Sequence, residues 1–173
     1  MKGIRFSLWR TAAVLVALVV LCGFVACKEP DSEDLIFENV SPLTSNDEIV
    51  GTWISDWGEK FTFSTEKFSS FYKDEKDKEQ LSYEGKNPYI YKIDKKTGYV
   101  YIKYTNALNE ADVGKWYAIY YSDIATANGK ITAKISGAGK EGGKTSTDTL
   151  EEAVAEFTVD NGYYAWYSTC TRQ

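Results

Sequence analysis

The sequence contains no histidine. That absence removes the side chain that most often serves as general base, pH switch and transition-metal ligand near neutral pH. Serines abound, but no imidazole exists to activate one as a nucleophile. Cysteine is scarce: Cys22, Cys27 and Cys170 stand without zinc or redox spacing. Positive charge is in deficit, 20 basic residues against 25 acidic for a net of -5, and three of the bases lie within the first ten residues. A chain without a basic stripe cannot displace counterions from a phosphate backbone, so nucleic acid is excluded as a partner. No calcium-binding loop of the EF-hand kind is present, and neither a metal nor a cofactor is expected. Acid pairs occur at Glu151 and Glu152 and at Asp74 and Asp77. The first falls on the polar face of an expected helix and the second is interleaved with lysines. Neither forms the dry, unequal pair that glycoside hydrolysis needs. The chain therefore reads as non-enzymatic.

What is present begins with an export signal over residues 1–26. Lys2, Arg5 and Arg10 precede an uncharged, mostly apolar run over residues 11–26. As a helix that run spans about 24 Å, short of the roughly 30 Å hydrocarbon core of a bilayer. It reads as a cleaved signal rather than a span. The run ends Gly23-Phe24-Val25-Ala26-Cys27. A small residue before cysteine resembles the lipobox of bacterial lipoproteins, and Phe24 three places before the cysteine resembles its relaxed, spirochaete-type form. Cys22 fits less well, because the preceding Leu21 is too large. The resemblance implies that Cys27 becomes the first mature residue, carries lipid (palmitate among its chains) and ties the protein to a bacterial membrane. Residues 27–48 then read as a charged, flexible tether, with a typical reach of about 25 Å. Leu35, Ile36 and Phe37 interrupt its polarity and would dock on the domain or close one end of it.

From residue 49 the apolar period is two. Expected strands cover residues 49–55, 60–64, 67–72, 81–93 (broken by Gly85 and Pro88), 99–104, 115–121, 130–136 and 163–168. The charge run over residues 73–79 reads as a solvated loop, and Asn128-Gly129 as a tight hairpin. A helix is expected over residues 147–156, with Thr149 and Glu152 in capping-box spacing and Leu150, Ala153, Val154 and Phe157 on one apolar face. Aromatics form 15% of the chain, 13 of them tyrosine, which favours strands over a helical bundle. Eight strands with short connections and one late helix predict an all-β fold, an eight-stranded antiparallel up-and-down barrel over residues 49–173. Closure also removes the exposed edges that so many aromatic strands would otherwise present.

Gly51-Thr52-Trp53 at the head of the first strand resembles the Gly-X-Trp signature of lipocalins and their calycin relatives. The resemblance spans roughly residues 35–172 and implies a lipocalin-like barrel. It also implies that Trp53 is structural, packed under the barrel beside an arginine from near the chain end; Arg172 is the only arginine after the leader.

The segment Ala138-Gly139-Lys140-Glu141-Gly142-Gly143-Lys144-Thr145 fits a relaxed Walker A spacing. It is rejected as a phosphate loop, because only one strand follows its helix and no parallel sheet is available. Phe61, Phe63, Ile102, Tyr104, Trp116, Tyr120 and Trp166 are expected on inward faces, where they either fill the barrel or line a ligand cavity. Trp57, Tyr89, Tyr91, Tyr99, Tyr101 and Tyr163 are expected outside. The leading expectation is an exported, lipid-anchored protein that binds a small, partly apolar ligand without catalysis. The alternative is an interaction protein, an adhesin or an inhibitor of an external enzyme. Its partner would be an external protein or glycan, met by outward aromatics and the loops at 73–80 and 106–114.

Overall fold

The computed structural model describes residues 39–173. The export signal, the lipid site at Cys27, the first part of the tether and the Leu35-Ile36-Phe37 cluster lie outside the described residues. The body contains nine antiparallel strands: β1 (Val40–Pro42), β2 (Gly51–Ser55), β3 (Lys60–Phe63), β4 (Lys67–Lys73), β5 (Glu79–Lys92), β6 (Gly98–Asn106), β7 (Trp116–Ala127), β8 (Lys130–Gly137) and β9 (Ser168–Arg172). One helix, α1 (Leu150–Glu156), lies between β8 and β9. Strands β2 to β9 pair in sequence order, and β9 returns to β2. The result is a closed eight-stranded up-and-down barrel with one late helix.

Local chemistry accounts for most boundaries. Asn128 and Gly129 both have positive φ, 53° and 75°, the backbone that a two-residue hairpin demands of its central positions. Thr149 caps α1, and Glu152 reaches back to the Thr149 amide, so the capping box forms as its spacing predicts. Two expectations shift. Strand β5 runs unbroken for 14 residues. Gly85 and Pro88 bend it rather than end it, with irregular pairing to β6 around them. The last strand is not residues 163–168 but Ser168–Arg172. It lacks the apolar alternation that marks the other strands; pairing with β2 on one side and β8 on the other places it in the sheet.

The tether also ends earlier than residue 48. Val40 pairs with Tyr91 and Pro42 with Tyr89, and Leu43 and Ile49 are fully buried. The segment between them crosses one end of the barrel. Asp47 holds it there: the Thr44 amide and hydroxyl donate to its carboxylate, which also pairs with Lys92. Burial pushes the Asp47 carboxyl up, and the Lys92 ammonium and both Thr44 groups more than reverse this, holding it below its ordinary value.

Both faces of the wall between β5 and β7 are covered. Pairing places Val100, Ile102 and Tyr104 of β6 on the same face as Tyr117, Ile119 and Tyr121 of β7. That face is the interior, shared with Trp53, Phe61, Phe63, Phe68 and Ile135. The opposite face carries Tyr99 and Tyr101, buried although they point out of the barrel. Tyr164 packs against Tyr99 and Tyr120 there, and α1 lies along β6 and β7. Tyr163 is not an outward residue: it is 1% exposed, edge-on to Phe157, and its hydroxyl accepts from the Lys144 amide at 2.8 Å.

Candidate functional site: the two ends of the barrel

One end of the barrel is sealed. Trp53 is 0% exposed, and its indole N–H donates to the Ile49 carbonyl at 2.8 Å. Arg172, paired with Trp53 across β9 and β2, holds its guanidinium 5.7 Å from the indole ring centroid and donates to the Val50 carbonyl. This is a cation–π contact made at the barrel floor. Gly51 makes room for it. Its φ is +138°, and a Cβ there would lie 2.9 Å from Arg172 Nε. Trp53 and Arg172 thus pack together at this closed end.

The other end carries the long connections, residues 107–115 and 138–167, with the 56–59 and 74–78 turns. Part of it is filled. Tyr104 stacks on Tyr117 at 4.9 Å between centroids, Phe157 meets Tyr117 edge-on, and the Tyr117 hydroxyl donates to the Ala138 carbonyl at 2.9 Å. Beside this plug is a pocket of about 290 Å³. Its inner wall is Phe61 of β3, Ser70 of β4, Tyr83 of β5 and Ile135 of β8. Glu59, Ser168, Trp166 and Tyr167 stand at its mouth.

Each mouth residue is held from below. The Ser55 hydroxyl accepts from the Glu59 amide at 2.9 Å and from the Trp57 amide at 3.3 Å, which shapes the β2–β3 turn. Ser168 then donates to one Glu59 carboxylate oxygen. The Asp56 amide bonds the Thr169 carbonyl at 3.2 Å, tying that turn to β9. Ser136 of β8 donates to the Trp166 carbonyl, and Lys134 lies 4.6 Å from the Tyr167 ring centroid. Trp166 itself is 85% exposed. Within the pocket, burial first and the nearby Tyr117 hydroxyl second push Tyr83 well above its usual value, against a Ser70 hydrogen bond that favours ionisation. Tyr83 therefore stays a neutral hydroxyl.

Four of the seven expected inward residues are inside: Phe61, Phe63, Ile102 and Tyr104. The other three are corrected. Trp116 and Tyr120 pair with Lys103 and Tyr99 on the outer face; Trp116 packs edge-on to Tyr89 at 5.9 Å, and Tyr120 lies under Tyr164. Trp166 precedes β9 and stands at the rim. The face of β7 is ambiguous in the sequence because both of its faces are apolar, and a one-residue shift exchanges them. Glu59, Ser70, Tyr83 and Ser168 escape a search for large apolar residues. The available signal was a polar residue at an inward position of an alternating strand, such as Ser70 opposite Phe61.

Other candidate chemistry recedes. Cys170 is buried, and burial, with smaller contributions from Glu59 and Asp56, pushes its thiol up to about 12, which leaves it protonated and unreactive. Lys144 of the Walker-like segment pairs with Glu156 at 3.3 Å. Its amide is taken by Tyr163, and α1 begins only at Leu150, so the segment does not lead directly into a helix N-terminus. Among the described residues no group of three or more metal-binding side chains converges. No family model, no characterised protein and no solved structure matches the chain.

Proposed function

We propose that the protein is an exported lipoprotein, anchored to a bacterial membrane through lipid on Cys27, with a lipocalin-like barrel. That barrel binds a small, partly apolar ligand without catalysis at its unsealed end. The observation that carries the ligand reading is the pocket of about 290 Å³ beside the aromatic plug. It lies at the small end of the range for ligand sites, about 300–1,000 Å³. The Trp53–Arg172 pair at the opposite end supports the lipocalin-like reading. The described chain starts at that sealed end, where Val40 pairs with Tyr91 next to the 93–97 turn.

Two measurements test this. Tryptophan fluorescence of the full chain is titrated with probes that span apolar and polar chemistry: decanoate, indole, haem and short saccharides. At least one gives a saturable response, and Trp166→Ala weakens it. A flat response to every probe removes the ligand reading. For the anchor, mass analysis of the mature N-terminus finds a lipid-modified Cys27. An unmodified start at another residue rejects lipidation. The physical basis is acyl burial, about 0.8 kcal/mol per methylene, so that two chains anchor stably where one does not.

A second reading has its own support. Trp57, Leu108 and Trp166 are each at least 85% exposed, and all three stand on connections at the unsealed end. Exposed apolar side chains gathered at one end favour contact with an external protein. A fully silent ligand screen would move the assignment to this reading.

A further inference from the structure

We infer that the pocket at the unsealed end is a saccharide site, one that accepts a neutral or amino sugar unit, single or terminal on a glycan. The inference rests on the ligand-binding reading above and names its ligand class.

The argument starts from the lining. A fatty acid or haem needs a deep apolar interior, and this barrel lacks one: Phe63, Phe68, Ile102 and Ile119 are all at most 2% exposed and fill the space below. Hydroxyl and carboxylate groups make up much of the pocket's lining. Ser70, Ser82, Tyr83, Ser168 and Glu59 all contribute to it. Hydroxyls both donate and accept, and a carboxylate accepts from two directions. A sugar presents the complement, a dense ring of hydroxyls with the same dual capacity. Ser168 uses one of the two Glu59 oxygens, which leaves acceptor capacity for a ligand hydroxyl or ammonium.

The second half of the match is aromatic. The faces of a pyranose ring carry C–H groups polarised by their oxygens, which seek the negative face of an aromatic ring, as other positive edges do. Trp166 stands at the mouth with most of its ring in solvent, and nothing in the core requires an indole there. Tyr167 is beside it, one face already covered by the Lys134 ammonium. A carboxylate and a neutral phenol at the site disfavour anionic sugars, since an acid beside Glu59 would meet like charge without a cation in the pocket lining. A volume of about 290 Å³ suits one sugar unit better than an extended chain, with further units left in solvent.

The test is a titration of the full chain with lactose, maltotriose, chitobiose and glucosamine, read by tryptophan fluorescence and by calorimetry, with indole and decanoate alongside. At least one saccharide is expected to bind saturably. Trp166→Ala and Glu59→Gln are each expected to weaken it by about tenfold or more, as loss of an anchor does. Both positions are at the rim, and an unchanged melting temperature confirms that the variants are folded. Trp116→Phe, outside the barrel, is expected to leave the response intact. Three results overturn the inference. If indole or decanoate binds and no saccharide does, the sugar class is wrong while the pocket reading stands. If nothing binds, both fail together. If a saccharide binds equally well to Trp166→Ala and Glu59→Gln, the site lies elsewhere.

Discussion

Trp53→Ala is expected to destabilise the barrel by about 3–5 kcal/mol, the cost of deleting a fully buried large aromatic. In a body of this size that lowers the melting temperature by roughly 10–20 °C. Two losses combine. The indole fills the sealed end together with Leu43 and Ile49, which are likewise buried. Its N–H satisfies the Ile49 carbonyl, so its removal leaves an acceptor without its partner. Trp53→Phe separates the terms, since it keeps most of the volume and loses the hydrogen bond; it should cost less than half as much. Thermal unfolding followed by circular dichroism measures both. A midpoint that moves by no more than a few degrees in Trp53→Ala would show that the sealed end does not depend on this residue.

Gly51→Ala carries the second large effect, about 2–4 kcal/mol. The backbone at φ +138° is one that residues with a Cβ rarely adopt, and forcing it costs about 1–3 kcal/mol. The new methyl would also displace Arg172 from the indole and from the Val50 carbonyl, which gives up a cation–π contact worth about 0.5–2 kcal/mol. A double-mutant cycle separates these contributions. In the background of Arg172→Ala the steric part of the Gly51→Ala cost disappears and the backbone part remains, so the two changes sum to less than their separate costs. Strict additivity in urea unfolding would mean that Gly51 and Arg172 do not share the space assigned to them. The pair also gives a physical reason for the spacing of the Gly-X-Trp signature here. The glycine clears the volume that the arginine occupies, and the tryptophan two residues on, on the same face of β2, supplies the ring over which that arginine lies.

The strand pattern was legible where one face is buried and the turn chemistry is strong. Period-two alternation over β2 and β3, the Asn128-Gly129 turn and the Thr149–Glu152 capping box each follow from interactions among residues close in sequence, and each appears at its expected place. Strand β9 was not legible. Ser168, Thr169 and Thr171 are small and polar, and the aromatic-rich run of residues 163–167 just before them imitates a strand. Tyr163 is instead drawn into the core by Phe157, and Trp166 is left outside. The pocket was missed for a related reason: its inner wall is built from four strands and its mouth from two connecting segments and the first residue of β9, so that Glu59 meets Ser168 across 109 residues.

The sequence by itself determined the all-β barrel class, seven of its eight barrel strands and the late helix. Those features depend on local period, turn residues and the number of strands that must close. Only the tertiary structure decided which face of β7 looks inward, that the interior is filled, and that one pocket with a polar mouth survives beside the plug. The nine-residue connection over 107–115 does not set the register of β7 against β6, and both faces of β7 are apolar. Its orientation therefore depends on what packs outside. Helix α1 and Tyr164 cover Tyr120 and Ala118 from that side, while Tyr117, Ile119 and Tyr121 fill the barrel.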